Sequence, residues 1–184
     1  MRSTLEAIYR DHRQGLFTVA LSITRKPDRA EDAIHDAFAR LCRAGTSPTG
    51  DPVAYAYAAV RNAAIDITRK RQEMSIDAPA GSEGPNPMNP LKHRDARTNI
   101  SIYNGHDPSL AGSDQAAMAN EKEQIIRKAV DELPQPQRDV LIMKLYAGLT
   151  FDQIALASNE PLSTVASRYR RALDKLKEQL APIA

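Results

Sequence analysis

Residues 135–180, QPQRDVLIMKLYAGLTFDQIALASNEPLSTVASRYRRALDKLKEQL, constrain the fold more than any other stretch. From Val165 the apolar residues fall at Val165, Tyr169, Ala172, Leu173, Leu176 and Leu180, one stripe of an α-helix. At about 100° per residue the opposite face carries Ser163, Thr164, Ser167, Arg170 and Arg171, with Arg168 and Lys175 on its flank. Just upstream, Thr150 and Gln153 stand at capping-box spacing and predict a short helix whose buried side is Phe151, Ile154 and Ala155. Gly148 separates it from a preceding helix over about 136–147, and Pro161 separates it from the basic helix. The order is helix, glycine turn, short helix, turn, basic helix. That is the pattern of a helix-turn-helix, whose last helix enters the DNA major groove. A basic amphipathic helix alone usually just faces solvent; the capped helix before it, at this spacing, favours the binding motif.

Charge supports the same reading only locally. The 184-residue chain is nearly balanced at +2, but residues 161–177 set five basic side chains against Asp174 alone, a local charge of +4. Local charge of this kind attracts phosphates and makes binding sensitive to salt. With three Phe, six Tyr and no Trp, two thin helical cores are expected rather than one thick one. The single cysteine, Cys42, excludes an intrachain disulfide and fits a reducing cytosol. The charged start, MRSTLEAIYRDHR, lacks the apolar segment of a signal peptide, and no run reaches the roughly 18 apolar residues of a membrane span. A cytoplasmic protein without membrane contact is expected.

Three further helices are predicted in the first 72 residues. The first, over about 4–25, has its stripe at Leu5, Ile8, Tyr9, His12, Leu16, Val19, Ala20 and Ile23. His12 reads as a packed histidine, because no second ligand stands at metal-binding spacing. The second opens at Pro27 and buries Ala30, Ile34, Ala37, Phe38, Leu41 and Cys42. Its far side shows Asp32, Asp36, Arg40 and Arg43, with Glu31 and His35 on the shoulders, an acidic face suited to solvent or to a basic partner helix. The third, over about 52–72, buries Val53, Ala56, Tyr57, Val60, Ala63, Ala64 and Ile67. Tyr55, Asn62, Asp66 and Arg69 point the other way. An aromatic, an amide and a guanidinium on one face suit exposed bases, which they can stack on and hydrogen-bond. The cations Arg69, Lys70 and Arg71 at its end are explained equally well by the helix dipole. Residues 73–116 are rich in Pro and Gly and read as a flexible linker. A fourth helix, over about 115–133, supports the helix-turn-helix with Met118, Ile125, Ile126, Ala129, Val130 and Leu133.

Both halves resemble the extracytoplasmic-function sigma factors of bacteria. In the second half the resemblance lies in Leu133-Pro134, the Gly148 to Thr150 turn, Ile154-Ala155 and Thr164-Val165-Ala166-Ser167-Arg168, as in region 4. In the first half it lies in Ala30-Glu31-Asp32 followed by His35-Asp36-Ala37-Phe38, and in Arg61-Asn62 with Asp66, as in region 2. His35 stands where glutamine is usual, and Tyr55 where tryptophan is common. The resemblance covers about 5–72 and 117–178. It implies an all-α protein of two small helical domains, 1–72 and 117–184, joined by the linker. It implies a non-enzymatic factor, without metal or cofactor, that binds core RNA polymerase through the β′ coiled coil and the β flap. Asp32, His35, Asp36 and Arg40 would dock on polymerase. Arg61, Asn62 and Arg69 would hold the melted −10 strand of promoter DNA. Thr164, Ser167, Arg168 and Arg171 would read the −35 duplex. An anti-sigma factor is a third class of partner. From the residues alone two other readings stay open: a helix-turn-helix regulator that binds an operator without polymerase, and an interaction module that binds polymerase but starts no transcripts.

Overall fold

The computed structural model describes residues 2–44, 50–76 and 123–181, with the side chains of 2–3 and 71–76 left aside. Helix α1 spans Arg2–Thr24, α2 Pro27–Ala44 and α3 Pro52–Ile76. Helical residues 123–131 form α4, followed by α5 (Gln135–Leu145), α6 (Phe151–Ser158) and α7 (Leu162–Leu180). No strand occurs among the described residues. The all-α reading therefore holds. The third helix runs four residues past the expected end, taking Glu73 to Ile76 from the linker. Residues 77–116 of that linker, and the expected start of α4 with Met118, lie outside the described residues.

Local chemistry sets the helix ends. Arg25, at φ 58°, takes the left-handed conformation that stops α1, and Pro27 opens α2 with its preset φ. At the start of α3 the Asp51 carboxylate accepts the backbone N–H groups of Val53 (2.8 Å) and Ala54 (3.3 Å), ahead of Pro52 at the first helical position. Gly148, at φ +70°, makes the turn before α6. The predicted capping box is present: Thr150 Oγ1 accepts from Gln153 N (3.2 Å) and Gln153 Oε1 accepts from Thr150 N (2.8 Å). Asn159 ends α6 in the left-handed region.

Helices α1, α2 and α3 pack as a three-helix bundle, and α5, α6 and α7 form the helix-turn-helix. Arg138, itself buried, ties α4 to α5. Its guanidinium donates to the carbonyls of Val130 (3.1 Å), Asp131 (2.5 Å) and Leu133 (2.7 Å), at and just past the end of α4. His12 packs edge-on to Tyr57 (5.9 Å), as expected of a core histidine. Three stripe residues depart from expectation: Leu173, Ile126 and Cys42 are exposed.

The larger correction concerns the core. Two thin cores were expected, one per half. The main apolar cluster instead runs through both, joining Leu16, Val19 and Ala20 of α1 and Tyr57 and Val60 of α3 to Val140 and Met143 of α5, Ile154 and Ala157 of α6 and Val165 of α7. Helix α6 lies against α3, and α5 against α1. Each fully buried Leu, Ile or Val contributes about 1.5–3 kcal/mol. Few aromatics make each half thin, and the thin halves bury each other's remaining apolar surface.

Candidate nucleic-acid interface

The four α2 residues share one accessible face. Asp32, His35 and Arg40 are exposed and Asp36 is half-buried. Arg40 grips Asp36 across one turn, with Nε to Oδ1 at 3.1 Å and Nη2 to Oδ2 at 2.6 Å. This pair neutralises part of the face, beside the exposed carboxylates of Glu31 and Asp32.

On α3 the three expected residues separate. Asn62 is exposed, and so is Arg69, whose Nη2 lies 3.3 Å from Asp66 Oδ1. Tyr55 is exposed one helical face-repeat before Asn62. Arg61, their neighbour, turns inward instead. Its Nη2 sits 3.5 Å from Asp139 Oδ2 of α5, with the side chains 18% and 6% exposed. Arg61 Nε is buried and finds no partner among the described residues. Gln135 completes the cluster, donating from Nε2 to Asp139 Oδ1 (2.5 Å) and to the carbonyl of Ser22 (3.4 Å). Burial pushes the Asp139 carboxyl above its ordinary value, against the opposing pull of Arg61, Gln135 and Arg168. Desolvation thus outweighs attraction at this pair, as is common for buried ions.

On α7 Arg171 is exposed, and Thr164 and Ser167 are half-buried, with Ser167 Oγ donating to the Thr164 carbonyl (2.9 Å). Arg168 is paired to Glu160 in the turn before the helix. The structure therefore brings the α7 set together on one face and keeps Asn62 and Arg69 open, while Arg61 is covered. Sequence reasoning missed the two carboxylates that hold the arginines, Asp139 and Glu160. The one signal for Asp139 was an acid at the head of the apolar run Val140-Leu141-Ile142-Met143. It also missed the link between two helix caps, in which Gln153 Nε2 donates to Asp51 Oδ2 (2.6 Å).

Known proteins resemble this chain in sequence and fold. Residues 8–74 match the family model for Sigma-70 region 2, and residues 123–176 match that for Sigma-70, region 4. The chain belongs to the sigma-70 family. It is similar to the RNA polymerase sigma factor SigV of Bacillus subtilis, 22% identical over 172 residues, 92% of this chain and 87% of that protein. It is also similar to the RNA polymerase sigma-H factor of Pseudomonas aeruginosa, 27% identical over 74 residues, 40% of this chain and 38% of that one. Its fold is similar to that of the sigma factor RpoE of Bartonella quintana, solved in complex with the anti-sigma factor NepR. The TM-score is 0.63 at 19% identity, over 100% of this chain and 98% of that one. The chain is thus a sigma factor of the extracytoplasmic-function type, acting in promoter-directed initiation of transcription. Sigma factors are generally non-enzymatic regulators of transcription. Among the described residues, no helix of this sigma factor is long and apolar enough to cross a membrane.

Proposed function

We propose that the two halves divide promoter recognition. The α2 face of Asp32, His35, Asp36 and Arg40 docks on the β′ coiled coil of core RNA polymerase, and the second half reaches the β flap. Arg61, Asn62 and Arg69 of α3 hold the melted −10 strand. Thr164, Ser167, Arg168 and Arg171 of α7 read the −35 duplex in the major groove. The observation that carries this reading is the pair of polar helix faces, α3 and α7, each set within its own matched region and in the family's order. The 1–72 and 117–184 halves act as the two recognition units.

The working surfaces call for no cofactor or metal, and the polymerase performs the chemistry, so the protein is not itself an enzyme. It works in the cytoplasm, where polymerase and promoter are. An anti-sigma factor is a fitting partner, since the Bartonella quintana neighbour was solved bound to one. Run-off transcription over a promoter library, with core polymerase and with or without the sigma factor, tests the reading. Transcripts from a shared −35 and −10 pattern, made only when the protein is present, are the expected result. Tight operator binding by the protein alone, with no transcripts, would refute it.

A further inference from the structure

The two arginines assigned to the −35 duplex stand differently. Arg171 is exposed, and among the described residues no acid pairs with it. Arg168 is tied down. Its Nη1 donates to Glu160 Oε2, and the two side chains are only 26% and 24% exposed. On the helix Arg168 lies between the face of Thr164 and Arg171 and the buried stripe of Val165 and Ala172. Glu160 is held in the turn two residues before α7 opens at Leu162. Its backbone N–H donates to the Ala155 carbonyl (3.0 Å), and Asn159 before it turns left-handed at φ 55°. Asp139, buried at the seam where the halves meet, attracts Arg168 as well. The guanidinium is thus drawn toward the protein, and reaching a base edge in the groove means breaking the pair.

We propose that Glu160 is a specificity-determining residue of the −35 reading: it competes with the duplex for Arg168 and so caps the preference this arginine can confer. The inference rests on the base-reading role given to Arg168 above. It follows from which contact is stronger. A partly buried pair is screened less than a contact to a phosphate in solvent. At a duplex with no guanine in reach, Arg168 therefore stays on Glu160 and gains little. At a guanine the bidentate contact draws it off, and the gain is reduced by what the pair contributed. Removing the carboxylate returns that whole gain at the matched site. At a mismatched site it offers only a phosphate, which carries no sequence information. Glu160 thus weakens binding at the best site more than at the others.

The experiment removes the charge and keeps the shape, with Glu160→Gln in the full chain. Run-off transcription with core polymerase and limiting protein compares a matched promoter with templates in which each −35 base pair is replaced in turn. Transcript from the matched promoter is expected to rise about three- to tenfold. The matched-to-mismatched ratio is expected to widen at the position whose preference Arg168→Ala removes. In the Arg168→Ala background the same change should leave that ratio as it is. Glu160→Asp keeps the carboxylate and should restore the parent ratio; if it behaves like Glu160→Gln, the shape of the turn rather than its charge is responsible and the proposal fails. An equal rise on every template, kept in the Arg168→Ala background, means general repulsion of phosphates and overturns it. A narrower ratio means that Glu160 props the arginine in its reading pose, and overturns it too. If Arg168→Ala loses preference while Glu160→Gln changes nothing, only the competition falls. If neither variant changes preference, the reading role of Arg168 falls with it.

Discussion

Helices α2 and α3 carry the two polar faces of the first half, and their fates differ. The α2 face is open along its whole length. The α3 face is open at Asn62 and Arg69 but covered at Arg61, where the second half of the chain lies on it. The lesson is that periodicity marks which residues leave their own bundle's core, and no more. Residues one position apart, Arg61 and Asn62, end in a buried ion pair and in solvent because α5 reaches one and not the other. The face proposed to dock on polymerase is thus exposed, while part of the face proposed to bind the strand is covered.

The comparison can be pressed experimentally. The largest effect is expected at the open face. Reversing Asp32 and Asp36 to Lys sets like charge against a basic partner, which costs several kcal/mol. Affinity for core polymerase, measured by fluorescence anisotropy, should fall about a hundredfold or more. A loss of less than about tenfold would remove these carboxylates from the docking face.

An intermediate effect is expected on α7. A good bidentate Arg–guanine contact contributes about 1–3 kcal/mol, so Arg168→Ala should weaken promoter preference by roughly one to two decades. Part of that is offset, since Arg168 must first leave Glu160. Transcription from matched and mismatched −35 sequences reads it out. Unchanged preference would remove Arg168 from the reading set.

The smallest effect concerns the two seam carboxylates, whose shifts are opposite. Burial raises Asp139, so the folded chain holds its proton more tightly than the unfolded chain. The stability this group contributes is present below the ordinary carboxylate pKa of about 3.9 and is lost as pH rises through the raised value. Asp51 is lowered, first by the Gln153 hydrogen bond and against burial, so its contribution is present above the ordinary value and lost on acidification. Asp139→Asn should leave the melting temperature at neutral pH equal to or above that of the parent and flatten its decline above the ordinary carboxylate value. Asp51→Asn should lower it at neutral pH and flatten the loss in acid. Melting curves across the acid range check both signs, and a clear loss of stability in Asp139→Asn at neutral pH would show that Arg61 outweighs burial.

Much of this was legible in the chain. The six long or capped helices follow from apolar spacing, from Pro27, Pro52, Pro136 and Pro161 at their starts and from Gly148 at a turn, all of which act within a few residues. The capping box at Thr150 and Gln153 was readable for the same reason. The α7 face and the α2 face could be placed because a helix fixes which side chains share a side. The Gln153 link to Asp51 could not be, because its partners lie 102 residues apart and nothing local joins them.

Sequence by itself determined the helices, their faces and the family, because each rests on interactions between residues three or four apart or on short motifs read along the chain. Tertiary structure alone decided that the halves share one core and that Arg61 is taken by Asp139. Those outcomes depend on how apolar stripes from distant segments find each other. A stripe declares that it must be buried, but its side chains are nearly interchangeable and do not name the surface that will bury it.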